Sequence, residues 1–237
     1  MARKKAMSLP MRADELFTLP QSLAHFAPFF APDAAPWEWV SAIKKALDGL
    51  DWNKWPLRSD IPAGVHIKGR VYIHPDAVLP PFAVIEGPAW IGARTEIRPG
   101  AYIRGNVIAG EGCVMGNSCE FKNSMILDGA QVPHFNYVGD SILGIKAHLG
   151  AGAICANLRM DHANVPVCLP EGGRADSGLR KLGALMGDGA EASCNSVLQP
   201  GAILGKKAVV ISMPFSGYLS PNTIAHASQR VRTIPRR

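Results

Sequence analysis

The chain has 237 residues, of which 47% are apolar and 19% are charged, and its formal net charge at pH 7 is +6. This composition is typical of a soluble globular protein, and no apolar run approaches the roughly 20 residues of a membrane span. The basic residues are spread out except at the two ends, Arg3-Lys4-Lys5 and Arg230–Arg237, which we expect to stay solvated. Because nucleic-acid binding favours basic residues clustered with aromatics, we predict neither a nucleic-acid nor a membrane partner.

The N-terminus also bears on the cellular compartment. Its first residues are basic, but Pro10, Arg12 and Asp14 follow where a secretion signal would carry its apolar core. We therefore predict a cytoplasmic protein. The odd number of cysteines in a chain without a leader predicts free thiols, at Cys113, Cys119, Cys155, Cys168 and Cys194.

Residues 1–60 are predicted to form a helical N-terminal arm. The best helix begins at Pro36, carries apolar residues at helical steps, and ends near Gly49. The arm is too short for a nucleotidyltransferase domain and has no glycine-rich phosphate loop. Because the open end of a repeat protein needs a cap, we expect the arm's aromatic residues to cover the first coil. A recognition surface for a partner is the alternative.

Residues 61–212 are organised by a six-residue rhythm of large apolar residues. Its regular part comprises Ile67, Ile73, Leu79, Ile85, Ile91, Ile97 and Ile103. The rhythm then slips twice by one residue, breaks, and returns at Met186, continuing to Val210. An even period keeps these residues on one face of an extended chain, whereas a helix requires steps of three and four. Short strands stacked in register form a solenoid, so the predicted fold class is an all-β solenoid, a parallel β-helix.

Smaller residues punctuate the rhythm. A small residue follows each large one by four positions, which predicts a tight corner there, and glycine often follows the large residue directly, as at Gly92 and Gly150. We expect these glycines to supply backbone angles that other residues avoid. The rhythm stops at about residues 158–185, which predicts an excursion loop with a functional, hairpin or subunit-contact role. Beyond Val210 the repeat is expected to end, leaving residues 213–237 as an irregular C-terminal tail that folds back as a second cap.

The segment most informative about function contains Glu120-Phe121-Lys122-Asn123-Ser124, then Val132 to Asp140, then Leu149 to Asn157. With Arg180-Lys181-Leu182-Gly183, this segment resembles the hexapeptide-repeat acyltransferases. It is most similar to the acetyltransferase domain of bifunctional N-acetylglucosamine-1-phosphate uridyltransferase and to related sugar-1-phosphate nucleotidyltransferase tails. The resemblance covers roughly residues 98–204. It implies a left-handed β-helix, three repeats per coil, and an acetyl-CoA-dependent N-acyltransferase acting on an amino-sugar phosphate or nucleotide-sugar.

The resemblance also implies roles for individual residues and an assembly. His134 matches the catalytic base, and Asn157 matches an asparagine at the acetyl-transfer centre. The residues implied to bind the acceptor are Arg98, Lys122, Tyr137 and His148. Those implied to bind the cofactor are Gly150, Ala151, Lys181, Cys194 and Ser212. Acetyl-CoA would lie between subunits of a homotrimer, and the transfer requires no bound metal.

The chemistry of these residue types agrees with the implied reaction. An amine that attacks a thioester must lose a proton, which an imidazole can accept near neutral pH. Arginine and lysine hold phosphate, and backbone N–H groups at the turn Gly150-Ala151-Gly152 can stabilise an oxyanion. The ordinary alternatives are a packing role for Tyr137 and a solvated Lys122.

Departures from the family pattern leave the sugar and the acyl group open. His148 stands where the family has asparagine, Leu158 follows Asn157 in place of an aromatic residue, and Ala192 and Ser193 replace a large apolar residue and glycine. Two other functions also stay open. His134, His148 and His162 allow a zinc-dependent trimer like the β-helix carbonic anhydrases, and a non-catalytic sugar-phosphate-binding scaffold is the other alternative.

Overall fold

The computed structural model describes residues 11–228 and residue 234. The basic ends Arg3-Lys4-Lys5 and Arg230–Arg237 lie outside the described residues, apart from Ile234. The chain forms a left-handed parallel β-helix with a short helical N-terminal region, so the predicted fold class is confirmed. Within the described residues, no helix is long and apolar enough to cross a membrane. The division of the chain into units at residues 60 and 212 stays a prediction, although the irregular structure expected after residue 212 is not observed.

Three parallel sheets form the faces of the solenoid, and the chain visits them in a fixed order. The strands of the first face are Val65–Lys68, Ala83–Glu86, Ala101–Arg104, Glu120–Lys122, Tyr137–Gly139, Ile154–Cys155, Val197–Leu198 and Pro214–Phe215. Those of the second face are Val71–Ile73, Ala89–Ile91, Val107–Ala109, Ser124–Ile126, Ile142–Leu143, Leu185–Met186, Ile203–Leu204 and Tyr218–Leu219. Those of the third face are Glu96–Ile97, Val114–Asn117, Gln131–His134, His148–Leu149, Glu191–Ala192, Val209–Ile211 and Ile224–His226.

The six-residue rhythm points into the solenoid, as predicted. Ile73, Ile85, Ile91, Ile97 and Ile103 are at most 1% exposed, and they pack with the column of small residues in one continuous core. Ile67 and Leu79 are only partly buried, because they belong to the first coils, which have fewer neighbours. Burial of these side chains is the main stabilising contribution that the repeat makes.

The glycines after the large residues have a different role from the one expected. Gly92 and Gly150 do not adopt positive φ. An added Cβ would lie 2.3 Å from the Gly110 carbonyl oxygen at Gly92 and 2.5 Å from the Cys194 nitrogen at Gly150. These glycines are therefore required by the close stacking of successive coils. The backbone angles that favour glycine occur elsewhere, at corners such as Gly100 and Gly152.

The N-terminal arm packs mainly along one side of the solenoid, and it reaches the first coil only near its end, where the rings of Trp55 and Tyr72 lie 5.3 Å apart. The arm contains helix α1 at Pro36–Asp48 and shorter 3₁₀ segments at Ala13–Glu15, Gln21–Phe29 and Trp52–Lys54. It packs along the outer surface of the second face, whose outward column is apolar: Trp90, Ile108, Met125, Ile142, Leu185 and Ile203. The Leu16 carbonyl accepts a hydrogen bond from the Asp188 nitrogen at 2.9 Å, far from the first coil. An apolar outward column this long must be covered, which explains where the arm lies.

Two other segments complete the chain. The excursion contains an antiparallel hairpin, Pro166–Cys168 with Arg174–Asp176, whose Val165 and Val167 pack in the same cluster as the arm. The irregular tail was expected to begin after residue 212, but regular coil continues: the last strand of each face pairs in parallel with the coil before it, up to His226. These late strands retain inward apolar residues, although the six-residue spacing of the rhythm is lost there.

Candidate functional site

The predicted site residues lie mainly at two edges of the first face. We call the corner between the third and first faces the His134 edge, and the corner between the first and second faces the Asp140 edge. Near the His134 edge are Arg98, His134, Gly150, Ala151, Cys194 and Ser212. At the Asp140 edge are Lys122, the Tyr137 hydroxyl, Asn157 and Lys181. His148 lies apart from both, within its third-face strand and paired with Gln131 and Glu191.

The His134 edge is a stack of equivalent corners held by the backbone. The carbonyls of Asn117, His134 and Ala151 each accept from the N–H that follows the equivalent residue in the next coil, at 2.9–3.0 Å. This ladder aligns Asn117, His134, Ala151 and Cys194 in one column, and the residue after each has positive φ. Ser212 follows in the next coil, where its nitrogen donates to Ser193 Oγ at 2.8 Å. Successive coils are about 4.8 Å apart, so Ser212 lies roughly 14 Å along the axis from His134.

The His134 side chain is exposed at the end of its strand. Across residues 11–228, its imidazole makes no hydrogen bond, and its nearest aromatic neighbour is Phe135, with ring centroids 6.4 Å apart. The backbone beneath it is held by Asn136, which sequence reasoning missed. Asn136 is buried: its Oδ1 accepts from the His134 nitrogen at 3.1 Å and its Nδ2 donates to the Gly150 carbonyl at 2.7 Å. The Asn136 amide therefore fixes the His134 backbone next to the Gly150 backbone, and it makes no hydrogen bond to the imidazole.

The Asp140 edge is a closed polar network. Asp140 is only 4% exposed, and its carboxylate accepts hydrogen bonds from three side chains. Lys122 Nζ lies 3.1 and 3.0 Å from its two oxygens, Asn123 Nδ2 lies 2.9 Å from Oδ1, and Asn157 Nδ2 lies 2.5 Å from Oδ2. A buried carboxylate is tolerable when it is paired and fully hydrogen-bonded. Asp140 belongs to the quoted motif, but nothing in the sequence indicated this central position.

Tyr137 connects the two edges. Its ring lies along its own strand, and its hydroxyl accepts from Asn157 Nδ2 at 3.2 Å. A Cβ on Gly139 would lie 2.4 Å from that hydroxyl, so glycine makes room for the ring. Partial burial raises the pKa of Tyr137, and the nearby Asp140 and Glu120 carboxylates act in the same direction. The phenol therefore stays protonated and can donate its hydrogen to a ligand.

The cations near the first face are largely paired. Arg98 forms a two-pronged contact with Glu96 at 3.0 and 3.1 Å, and Arg104 lies 2.6 Å from Glu120. The Glu96 contact raises the pKa of Arg98, chiefly through its hydrogen bonds. A phosphate that binds at the first face must therefore compete with carboxylates for arginine and for Lys122.

Two further features bear on ligands. A groove of about 940 Å³ begins beside Asn157, at Ala156 and Leu158, and continues between the excursion hairpin and the last coils. Within residues 11–228, no group of three or more His, Cys, Asp and Glu residues is placed to hold a metal ion. His162 lies in the excursion, beyond the Asp140 edge, so it does not converge with His134 inside one chain.

The fold and these edges define a hexapeptide-repeat domain of the left-handed β-helix class. A family profile described as "GMPPB C-terminal domain" matches residues 85–216, more than half of the 237-residue chain. The chain belongs to this family.

Curated relatives agree with that assignment. The "Bifunctional sugar-1-phosphate nucleotidylyltransferase/acetyltransferase" of Sulfurisphaera tokodaii is 39% identical over 170 residues, 72% of this chain and 42% of the relative. "Bifunctional protein GlmU" of Methanococcus maripaludis is 37% identical over 175 residues, 74% of this chain and 41% of the relative. The protein of the same name in Methanocaldococcus jannaschii is 38% identical over 170 residues, 72% of this chain and 40% of the relative. The resemblance inferred from the sequence motifs is confirmed.

The chain thus spans about two fifths of the length of these relatives. A solved structure from Bacillus cereus aligns over 69% of this chain and 78% of its own, with 16% identity and a TM-score of 0.40.

Proposed function

We propose that this protein transfers an acetyl group from acetyl-CoA to the amine of an amino-sugar phosphate or a nucleotide-linked amino sugar. The observation that carries the proposal is the His134 edge. The His134 imidazole is exposed and makes no hydrogen bond within residues 11–228, and from His134 its column continues through Ala151 and Cys194 to Ser212, roughly 14 Å along the axis. Such a line suits an extended thioester with its reactive end at the imidazole. The relative from Sulfurisphaera tokodaii, whose name includes an acetyltransferase, supports the same reaction.

The proposed chemistry begins with proton transfer at His134. The amine nitrogen attacks the thioester carbonyl carbon, and His134 accepts the proton that the nitrogen must lose. As the N–C bond forms and the C–S bond breaks, the coenzyme leaves as a thiolate, which takes up the proton held by His134 and becomes the free thiol. The developing oxyanion needs a donor. The Gly150 and Gly152 N–H groups already donate to Ala192 and His134 carbonyls, whereas the Ala151 N–H has no acceptor within residues 11–228 and supplies that donor.

The acceptor occupies the first face in this proposal. Asn157 and Tyr137 orient the sugar by hydrogen bonds, and Arg98 and Lys122 attract its phosphate in competition with their carboxylate partners. His148 lies on the third face of its own chain, so in this proposal it contacts the acceptor bound to a neighbouring subunit. Lys181, which is exposed beside the Asp140 edge, contacts the cofactor. The transfer proceeds without a bound metal, in the cytoplasm.

We also propose a homotrimer, because the site is divided within one chain. His134 and the Asn157 network lie at opposite edges of the first face, and a neighbouring subunit would bring one edge of each kind into a shared groove. Light scattering at micromolar concentration should give three times the mass of the chain. A monomer that acetylates amino sugars at full rate would show that the site is complete within one chain.

The direct test is a screen of amino-sugar phosphates and nucleotide-linked amino sugars with acetyl-CoA, monitored by release of free thiol. We expect acceptor-dependent thiol release, and mass spectrometry of the acceptor should show a gain of one acetyl group. Binding of the sugar phosphate without any transfer would support the scaffold alternative. Loss of activity on treatment with a chelator, restored by zinc, would support the zinc alternative.

A further inference from the structure

The Asp140 carboxylate controls which atoms of Asn157 face a ligand. Asn157 has two amide hydrogens, and both are engaged: one is donated to Asp140 Oδ2 at 2.5 Å and the other to the Tyr137 hydroxyl at 3.2 Å. A carboxylate is only an acceptor, so it binds the NH₂ group and excludes the flipped amide. The Asn157 carbonyl oxygen is left as the group available to a substrate. An acceptor amine, which has N–H hydrogens to donate, complements that oxygen.

The same carboxylate also governs the charge of Lys122. The ammonium group contacts both Asp140 oxygens, at 3.1 and 3.0 Å, and the Lys122 side chain is only 26% exposed. An ammonium held in this way has much of its field cancelled by its partner. A phosphate that approaches Lys122 therefore meets a nearly neutral pair.

We propose that Asp140 is the positioning residue of the site: it orients Asn157 for catalysis and limits the phosphate affinity of Lys122. Asp140 does not contact the reacting atoms; it acts through its two partners. This inference rests on the proposed function, since it concerns how the same site is arranged. It predicts that turnover and acceptor binding respond in opposite directions when the Asp140 charge is removed.

Asp140→Asn is the informative variant, because it keeps the size of the side chain. The new amide presents NH₂ or a neutral oxygen to Asn157, so the Asn157 amide loses its fixed orientation. We expect kcat to fall by about 10- to 100-fold, the equivalent of one hydrogen bond to a charged group. Lys122 is freed at the same time, so KM for a phosphorylated acceptor should decrease. If Asp140 only stabilised the fold, Asp140→Asn would lower the thermal stability but would not lower kcat and KM together.

Asp188→Asn is a matched control. Asp188 is also a corner aspartate beside a lysine, with Lys206 at 3.5 Å, and it accepts from the Ile145 nitrogen at 2.9 Å. Asp188 lies between the second and third faces, away from both edges. Its variant should melt at a lower temperature while kcat and KM stay at their wild-type values.

A Lys122→Met variant keeps the inference testable should Asp140→Asn not fold. Because the field of Lys122 is already largely cancelled by Asp140, its removal should raise KM for a phosphorylated acceptor by less than about fivefold. In the Asp140→Asn background the same change should raise KM more. A large KM increase from Lys122→Met alone, or an Asp140→Asn enzyme with unchanged kcat and KM, would overturn the inference. A wild-type protein that acetylates none of the acceptors would instead overturn the proposed function.

Discussion

The two edges of the first face are built by different means. The His134 edge is held by a backbone ladder and by the buried Asn136 amide beneath it, so Asn117, His134, Ala151 and Cys194 can share one column although their own side chains differ. The Asp140 edge is held by side chains that converge on one buried carboxylate. A side chain on a backbone-held corner can change without altering the corner. At the Asp140 edge the same side chains hold the corner and form the site, so a substitution there should change both stability and activity.

The largest expected effect tests whether the His134 edge keeps its structure without the His134 side chain. His134→Ala removes the proposed base from an exposed position, and loss of a general base costs about 10²–10⁴-fold in rate. The free energy of unfolding should change by no more than about 0.5 kcal/mol, as for other surface substitutions. Steady-state kinetics and thermal denaturation check both halves of this prediction.

His66→Ala is the control for that variant, because His66 is also an exposed histidine on a strand of the solenoid. It should leave both turnover and stability unchanged. Near-normal turnover in His134→Ala would mean that the family's base is not used in this chain, and a large loss of stability would mean that the His134 edge is not independent of its side chains.

Asn157→Ala should lower both the stability of the protein and its turnover. It deletes the hydrogen bond to Asp140 Oδ2 and leaves part of a buried carboxylate unsatisfied, which costs about 1–3 kcal/mol of stability. The kcat value should fall as well, because the proposed contact to the acceptor amine is lost. Urea unfolding combined with kinetics on the same preparation measures both. If the variant lost turnover but kept wild-type stability, the Asp140 edge would not depend on its side chains for its structure.

Tyr137→Phe should have a smaller effect. It removes the hydroxyl that accepts from Asn157 at 3.2 Å, but Asp140 still holds the Asn157 amide. We expect a loss of about 1 kcal/mol in stability, the value of an ordinary hydrogen bond. The change in kcat should stay well below that of Asn157→Ala. If kcat fell equally in Tyr137→Phe and Asn157→Ala, Tyr137 would control the orientation of Asn157.

The smallest effect is a pH dependence. Burial raises the pKa of Tyr137, so the folded state retains this proton at pH values where the unfolded chain loses it. The stabilisation is fully present below the ordinary tyrosine pKa of about 10 and is lost as the pH rises through the raised value. Tyr137→Phe should therefore make the fall in melting temperature above about pH 10 less steep. An identical slope in the variant would show that Tyr137 does not contribute.

The sequence alone determined the solenoid and the identity of most candidate residues. A strict six-residue period can bury Ile73 to Ile103 on one side only if the chain forms short, stacked strands, and this prediction required no long-range information. The start of helix α1 at Pro36 followed in the same way from a local signal. The motif residues around His134 were recognisable because their order and spacing are local as well.

Only the tertiary structure decided where the arm lies and how the site is divided. The arm covers the outward column of the second face because Trp90, Ile108 and Met125 are apolar on the side that faces away from the solenoid, a match that depends on two distant segments. The separation of His134 from Asn157 depends on the register of successive coils, and the central role of Asp140 on its burial. Burial and register arise from contacts between residues far apart in the chain, and a period or a motif does not contain them.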